Sequence, residues 1–554
     1  MPAQVEGPPF QNLTSVCYNV LAGSCRELEA AVEGTGKDVC SRRSMRSMRP
    51  DRWACRGAAA ILVLLTSGVL RGADRPQWGE PGGRNQVSAE VGLPDRFDPE
   101  TGLNVRWVVP LGTETWSTPV VSQGRILIGT NNGAPKDPRV KGDRGILVCL
   151  REDDGGFCWQ LVVPKVTEDI YKDWPRVGMV SAATVEGDRV YMVSNRNEVM
   201  CLDLKGQADG NDGPYRDEGR HMVPAGTEPL EIAAQDADIL WLYDIPAELG
   251  IWAHDSAHCS VLVHKDLLYV NTSSGLNGEH NRVRVPDKPS LIVLDKHTGR
   301  LVAQENEGIG PRIFHSTWSS PALGTVEDEP VVFFCGGDGV CYGFDPPRPS
   351  DAPVDLHCRW RFDCDPEAPK ENVHQYIRNR QVSPSNIKSM PVFHEGRVYI
   401  TAGGDIWWGK KEANLLCVDA SGQGDVTRRG RLWSYAMGEH CCTTPSVWEG
   451  LVFVGDCGRM VHCVDAATGR AYWTHETDGE IWASTLVADG KVYVATRRGG
   501  VWVFAADREK RLLHHVRLDS PIAGTPVAAN GVLYVATMRK LYAFQSGASA
   551  PPAQ

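Results

Sequence analysis

Along most of the chain, apolar and polar residues alternate in short runs broken by Gly, Asp and Asn, a period-2 pattern that predicts half-buried strands rather than helices. One run, Thr118-Pro-Val-Val-Ser-Gln-Gly-Arg-Ile-Leu-Ile-Gly129, returns in related form. Its copies are Met390-Pro-Val-Phe-His-Glu-Gly-Arg-Val-Tyr-Ile400, Thr444-Pro-Ser-Val-Trp-Glu-Gly-Leu-Val-Phe-Val454 and Thr525-Pro-Val-Ala-Ala-Asn-Gly-Val-Leu-Tyr-Val535. Weaker copies surround Ala183, Val261, Pro321 and Thr485. Each reads as a hairpin, with second strands centred on Leu127, Tyr191, Tyr269, Phe333, Tyr399, Phe453, Tyr493 and Tyr534. The last centres lie about 40 residues apart and the earlier ones 54 to 78, so insertions decorate a unit of about 40 residues. An alternating strand and an acidic turn follow, as in Leu291-Ile-Val-Leu-Asp-Lys-His-Thr-Gly299, Leu415-Leu-Cys-Val-Asp-Ala-Ser-Gly422 and Val461-His-Cys-Val-Asp-Ala-Ala-Thr-Gly469. Asp can bond its own backbone there, and Gly supplies φ > 0. A fourth strand is then expected to end in an aromatic residue, as at Trp159, Trp241, Trp360, Trp433 and Trp473.

Four antiparallel strands per unit make the blade of a β-propeller. Eight copies predict an all-β protein of eight blades; seven blades with one degenerate copy is the competing count. The last copy ends at Leu541-Tyr-Ala-Phe544 without an outer strand, while Asn104-Val-Arg-Trp-Val-Val109 stands unpartnered at the front. Together they would close the ring. The expected organisation is one propeller over residues 98–545, a linker at 74–97 and a disordered tail at 546–554.

The first residues read differently. Arg46, Arg49, Arg52 and Arg56 precede an apolar run, Ala58–Leu70, of about 13 residues. That is short for a membrane span and suits the hydrophobic region of an export signal, so residues 45–73 are expected to be a signal peptide. An uncleaved N-terminal membrane anchor is the other reading. Residues 1–44 then form an extension, from an upstream start or a disordered leader. The expected location is the periplasm or cell envelope.

Composition narrows the function classes. With 57 Gly and 36 Pro in 554 residues, the chain is too rich in turn formers for a coiled coil or helical repeat. Its net charge of −11 leaves no basic face for nucleic acid. The expected state is a monomer, with a periplasmic protein or a small ligand as partner. The 17 Cys include no Cys-x-x-Cys pair, and hence no c-type haem attachment site. Cys358 and Cys364 flank a strand and are too far apart to bridge. Cys335 and Cys341 flank a hairpin turn and could bridge, but buried thiols packed as small apolar groups are the simpler expectation.

The pattern Pro-x4-Gly-x-Val-Tyr-Val, followed by apolar-x-apolar-Asp-x-x-Thr-Gly-x-x-x-Trp, resembles the repeat of pyrroloquinoline quinone (PQQ) type β-propellers over residues 98–545. The segments Asn211–Gly219, Asp236–Trp241, Glu248–His254 and Arg312–Pro321 are similar to a group of exported bacterial propellers described as PQQ-binding-like repeat proteins. The same repeat builds quinoprotein dehydrogenases and an envelope assembly lipoprotein. The resemblance therefore implies the fold and leaves two functions open: a non-catalytic binding or scaffold module, or a PQQ-dependent alcohol or sugar dehydrogenase using PQQ with Ca²⁺. No cofactor motif stands in the sequence on its own.

In such a ring the loops leading into the innermost strands converge on one face. They carry Glu114, Trp116, Arg176, Trp252, His254, Asp255, His258, Arg312, His315, Trp318, Lys388, Glu439, His440, Cys441, Cys442, Glu480 and Trp482. Flat aromatics beside cations and acids suit a planar anionic ligand such as a quinone carboxylate, or a sugar. His254 and His258, joined by His315 or His440, could form a three-His metal site. Asp209, Asn211, Asp212 and Asp217 lack the spacing of a Ca²⁺ loop and are expected to be a solvated insertion. The dehydrogenase resemblance implies that adjacent Cys441 and Cys442 would cover a quinone, but this pair lies on the sixth repeat and the family's surrounding motif is absent. No residue is identified as a catalytic base, so binding without catalysis is the leading expectation.

Overall fold

The computed structural model describes residues 72–549. The expected extension at 1–44 and all but the end of the expected export segment lie outside the described residues. Among those described, no helix is long and apolar enough to cross a membrane.

Eight antiparallel four-stranded units follow one another in chain order, each with its innermost strand first. Blades 1 to 7 occupy residues 120–164, 184–244, 262–304, 322–363, 392–437, 446–476 and 486–517. Blade 8 takes Val527–Ala529, Val532–Ala536 and Lys540–Ser549 from the C-terminal end. Its outer strand is Leu103–Pro110, paired antiparallel so that Trp107 lies opposite Ala543. The eight-blade count and the closure through residues 104–109 are both realised.

The core lies between blades. Eight apolar layers, each drawn from two neighbours, hold the ring together; one contains Leu127, Leu147 and Trp159 of blade 1 with Val190, Met200 and Leu202 of blade 2. The outer-strand tryptophans act as staples. The indole N–H of Trp159 donates to Leu204 O, Trp241 to Lys296 O, Trp360 to Ala420 O, Trp433 to Ala466 O and Trp473 to Asp507 O, each on the next blade. Trp107 does the same across the closure, to Glu152 O. The Thr-Gly of the acidic turn follows from this stapling. At Gly299 φ is +72°, and a Cβ there would stand 2.5 Å from the Trp241 ring.

Blades 3 and 7 have no such tryptophan and are tied differently. Val354–Asp355 adds a parallel fifth strand to blade 3, while His514 of blade 7 bonds the carbonyl of Phe97. Trp159 is 1% exposed. Trp159→Ala is expected to remove this apolar bulk and the interblade bond, costing about 3 kcal/mol, read as a lowered denaturation midpoint at unchanged m-value.

Residues 74–90, expected as a linker, run through the ring and touch every innermost strand or the residue leading into it. Arg75 bridges Val121, Pro76 O accepts from Val185 N, and Gly82 O and Gly83 O accept from Leu323 N and Phe393 N. Asn85 pairs with the backbone of Val447, and Val87–Ser88 runs parallel to the first strand of blade 7. Ser88 Oγ donates to Ala528 O. Arg84, 0% exposed, donates to Pro321 O and to Ser260 O and Oγ, which covers blades 3 and 4. The segment approaches from the side of the first hairpin turns, where Asp74 accepts from Gln123 N and Asn530 Nδ2. One end of the channel is therefore filled by the chain itself.

Candidate functional site

The opposite face collects two loops from each blade: the one leading into the innermost strand, and the turn between the second and third strands. Trp318, in the loop leading into blade 4, has His258 stacked on it at 4.2 Å between centroids and Lys388 Nζ 3.9 Å from its ring. Trp407 lies 5.7 Å from Trp318 and 6.2 Å from Trp482, and Trp116 follows 5.7 Å beyond Trp482. Arg497 sits over both Trp116 (4.4 Å) and Trp482 (5.2 Å). All four indoles are half-buried, so an aromatic arc carrying two cations spans blades 1, 4, 5 and 7. Glu480 fixes Trp482 by accepting its indole N–H at 3.0 Å. Burial lowers the pKa of Arg497 to about 10, which leaves it a cation at neutral pH.

Beside this arc lies a histidine cluster. His254 and His315 are buried, and their Nε2 atoms are 3.1 Å apart. His280, half-buried on the blade 3 turn between the second and third strands, completes a group whose ligating atoms all lie within 4.8 Å of one another. Asp255 flanks the pair, with carboxylate oxygens 3.9 Å from His254 Nε2 and 4.0 Å from His315 Nε2. Its φ of +69° puts this non-glycine residue in the left-handed region. Burial pushes His254 well below the ordinary imidazole range, with His315 and His280 adding to the effect, and it pushes the Asp255 carboxyl up.

Asp405 holds cluster and arc together. Fully buried, it accepts from His315 Nδ1 at 3.0 Å and from Trp407 N and Trp408 N at 2.9 and 3.3 Å, and it forms an ion pair with Lys388 Nζ at 2.7 Å. Burial would raise its pKa, but Lys388 and His315 more than offset that and hold the carboxyl well below the usual range.

The other expected residues scatter. Burial pushes His258 down to about 3, and its Nδ1 is engaged by Ser256 O; it belongs with Trp318, not with the histidine cluster. His440 stays outside that cluster beside Glu439, whose carboxylate also meets Lys411. Arg312 is committed to Asp338 and the Tyr342 hydroxyl. Trp252 lies under Lys172, and Arg176 is exposed. Of the acidic insertion, Asp209 pairs with Lys205, Asn211 Nδ2 donates to Glu218, and the Asp212 amide donates to Asp238, so these groups do not converge.

His280, Asp405, Trp407 and Arg497 were not among the residues expected from sequence. All four lie on turns between second and third strands, which share a face with the incoming loops. That alternation of strand direction was the signal available.

The comparison with known families concerns the last three blades. Residues 421–549 match the family model described as "Outer membrane protein assembly factor BamB". Over those residues the chain is similar to that family, and as a whole it is an eight-bladed β-propeller. No curated protein matches it. Among solved structures, BamB from Moraxella catarrhalis is 12% identical, over 80% of this chain and 98% of that one, with a TM-score of 0.47. The quinohemoprotein alcohol dehydrogenase from Comamonas testosteroni is 12% identical, over 87% and 82%, with a TM-score of 0.43. The computationally designed Ika8 protein is 11% identical, over 79% and 99%, at 0.46.

In this propeller the adjacent cysteines face different partners. Cys441 Sγ lies 3.2 Å from Gly455 O, whereas Cys442 Sγ lies 3.7 Å from Cys457 Sγ. All 13 described cysteines are free thiols, Cys335 and Cys341 among them, though those two face each other across paired strands.

Proposed function

We propose that this propeller is an exported binding module, without catalytic turnover, whose open face takes a flat anionic ligand. The aromatic arc with Arg497 over it carries the reading: indole faces supply apolar area to a planar molecule, and Arg497 supplies charge, Lys388 being paired with Asp405. The filled opposite end of the channel supports it, because the chain itself blocks passage through the ring. The model matching residues 421–549 is named for an outer-membrane protein assembly factor, and a scaffold in the cell envelope is the protein-partner form of the same role.

PQQ, a planar tricarboxylate, is a suitable probe. Titration with PQQ, with and without Ca²⁺, is expected to quench tryptophan fluorescence saturably. Trp482→Ala and Arg497→Met are each expected to weaken binding about tenfold or more, close to 1.4 kcal/mol. Equal affinity in wild type and both variants would remove the arc from the site. Alcohol-dependent dye reduction by the PQQ-loaded protein would replace the binding reading with the dehydrogenase one.

A further inference from the structure

We propose that His254, His280 and His315 form a binding site for one divalent transition-metal ion of the Zn²⁺ class. The tautomers carry the argument. His254 Nδ1 lies 2.7 Å from Leu276 O, His280 Nδ1 lies 3.1 Å from Gly278 O, and His315 Nδ1 lies 3.0 Å from the Asp405 carboxylate. A carbonyl and a carboxylate only accept, so each ring carries its proton on Nδ1 and presents an Nε2 lone pair. With those Nδ1 protons in place, the 3.1 Å contact between His254 Nε2 and His315 Nε2 needs a positive charge between the two nitrogens, a shared proton or, in its place, a metal ion.

Orientation of metal-binding imidazoles by a carbonyl or carboxylate at the far nitrogen is the usual support of such a site. An ion held tetrahedrally by bonds of about 2.0–2.1 Å sets its nitrogens roughly 3.4 Å apart. The three rings, whose ligating atoms lie within 4.8 Å of one another, reach that spacing by small side-chain movements.

The surrounding charges are compatible with an added dication. Arg284 is paired with Asp169 at 2.7 Å, and Lys388 with Asp405 at 2.7 Å. Asp255 stands beside the two closest nitrogens as a carboxylate able to complete the coordination. Three imidazoles select Zn²⁺, Cu²⁺, Ni²⁺ or Co²⁺ over Ca²⁺, which prefers oxygen donors. No side chain of the aromatic arc is among the ligands, so the two readings can fail separately.

The test uses the full chain, stripped with chelator and then titrated with Zn²⁺ or Co²⁺ alone. The expected result is one ion per chain, with intense visible absorption from tetrahedral Co²⁺ that Zn²⁺ displaces. His280→Ala, at a half-buried turn position, should fold normally and lower affinity at least a hundredfold, and His315→Ala should do the same. His297→Ala, at an exposed position on another turn, should bind as wild type does, and so should Trp482→Ala. Absence of stoichiometric uptake of Zn²⁺, Co²⁺ and Cu²⁺ would overturn the site. Uptake that survives His280→Ala combined with His315→Ala would do so too.

Discussion

Arg84→Ala is expected to be the most damaging single truncation in the ring, lowering stability by on the order of 5 kcal/mol. The side chain is fully buried and forks across three chain segments: Nε donates to Pro321 O at 2.9 Å, Nη1 to Trp78 O at 3.1 Å and Ser260 Oγ at 3.2 Å, and Nη2 to Ser260 O at 2.9 Å. Burial lowers its pKa to about 10, so the guanidinium keeps its charge at neutral pH. Alanine would strand three carbonyls inside the channel, at roughly 1–3 kcal/mol each with incomplete additivity, and would leave a void. Arg84→Lys keeps the charge but cannot reach Pro321 and Ser260 at once, so it should recover only part of the loss. Urea titrations followed by tryptophan fluorescence would give the difference. Proteolysis of native Arg84→Ala should cut first within residues 74–90. A change under about 0.5 kcal/mol, the scale of a surface substitution, would mean that the segment merely lies in the channel.

The ring was legible in the sequence because its instructions repeat. Two-residue hairpin turns such as Glu449-Gly450, both at positive φ, recur with a large residue four positions later. Tryptophans recur where one blade meets the next. The channel-filling segment was not legible for the opposite reason. Pro76-Gln-Trp-Gly-Glu-Pro-Gly-Gly-Arg-Asn-Gln86 occurs once, and its polar and turn-forming residues look like a linker. Its bonds go to groups on or just before the innermost strands of distant blades, and no local pattern encodes those. The site was half legible. Trp116, Lys388, His315 and Trp482 follow from the convergence of the incoming loops. Asp405 and His280 sit inside insertions of variable length, where the repeat no longer dictates position, and only the closed ring brings Asp405 to His315, 90 residues away in sequence.

Removing that carboxylate should disturb fold and site together, and the two effects can be separated. Asp405→Ala takes away the counter-charge of Lys388 and the acceptor shared by His315 and the amides of Trp407 and Trp408. Lys388, 8% exposed, would be left as an uncompensated buried cation, a loss of about 4 kcal/mol. If charge is the cause, Asp405→Ala in a Lys388→Met background should cost about 2 kcal/mol, the remainder reflecting the two amides and the imidazole. A double-mutant cycle measures that coupling directly. A coupling near zero would mean that Lys388 is held by its contact with Trp318 alone. Asp405 also fixes the His315 ring, and this is a positioning role that stability does not report. In the Lys388→Met background, Zn²⁺ affinity should therefore fall about 10- to 100-fold on Asp405→Ala and be partly restored by Asp405→Asn, whose side-chain oxygen still accepts from Nδ1. Equal Zn²⁺ affinity in all three proteins would mean that Asp405 serves the fold and leaves the orientation of His315 to its neighbours.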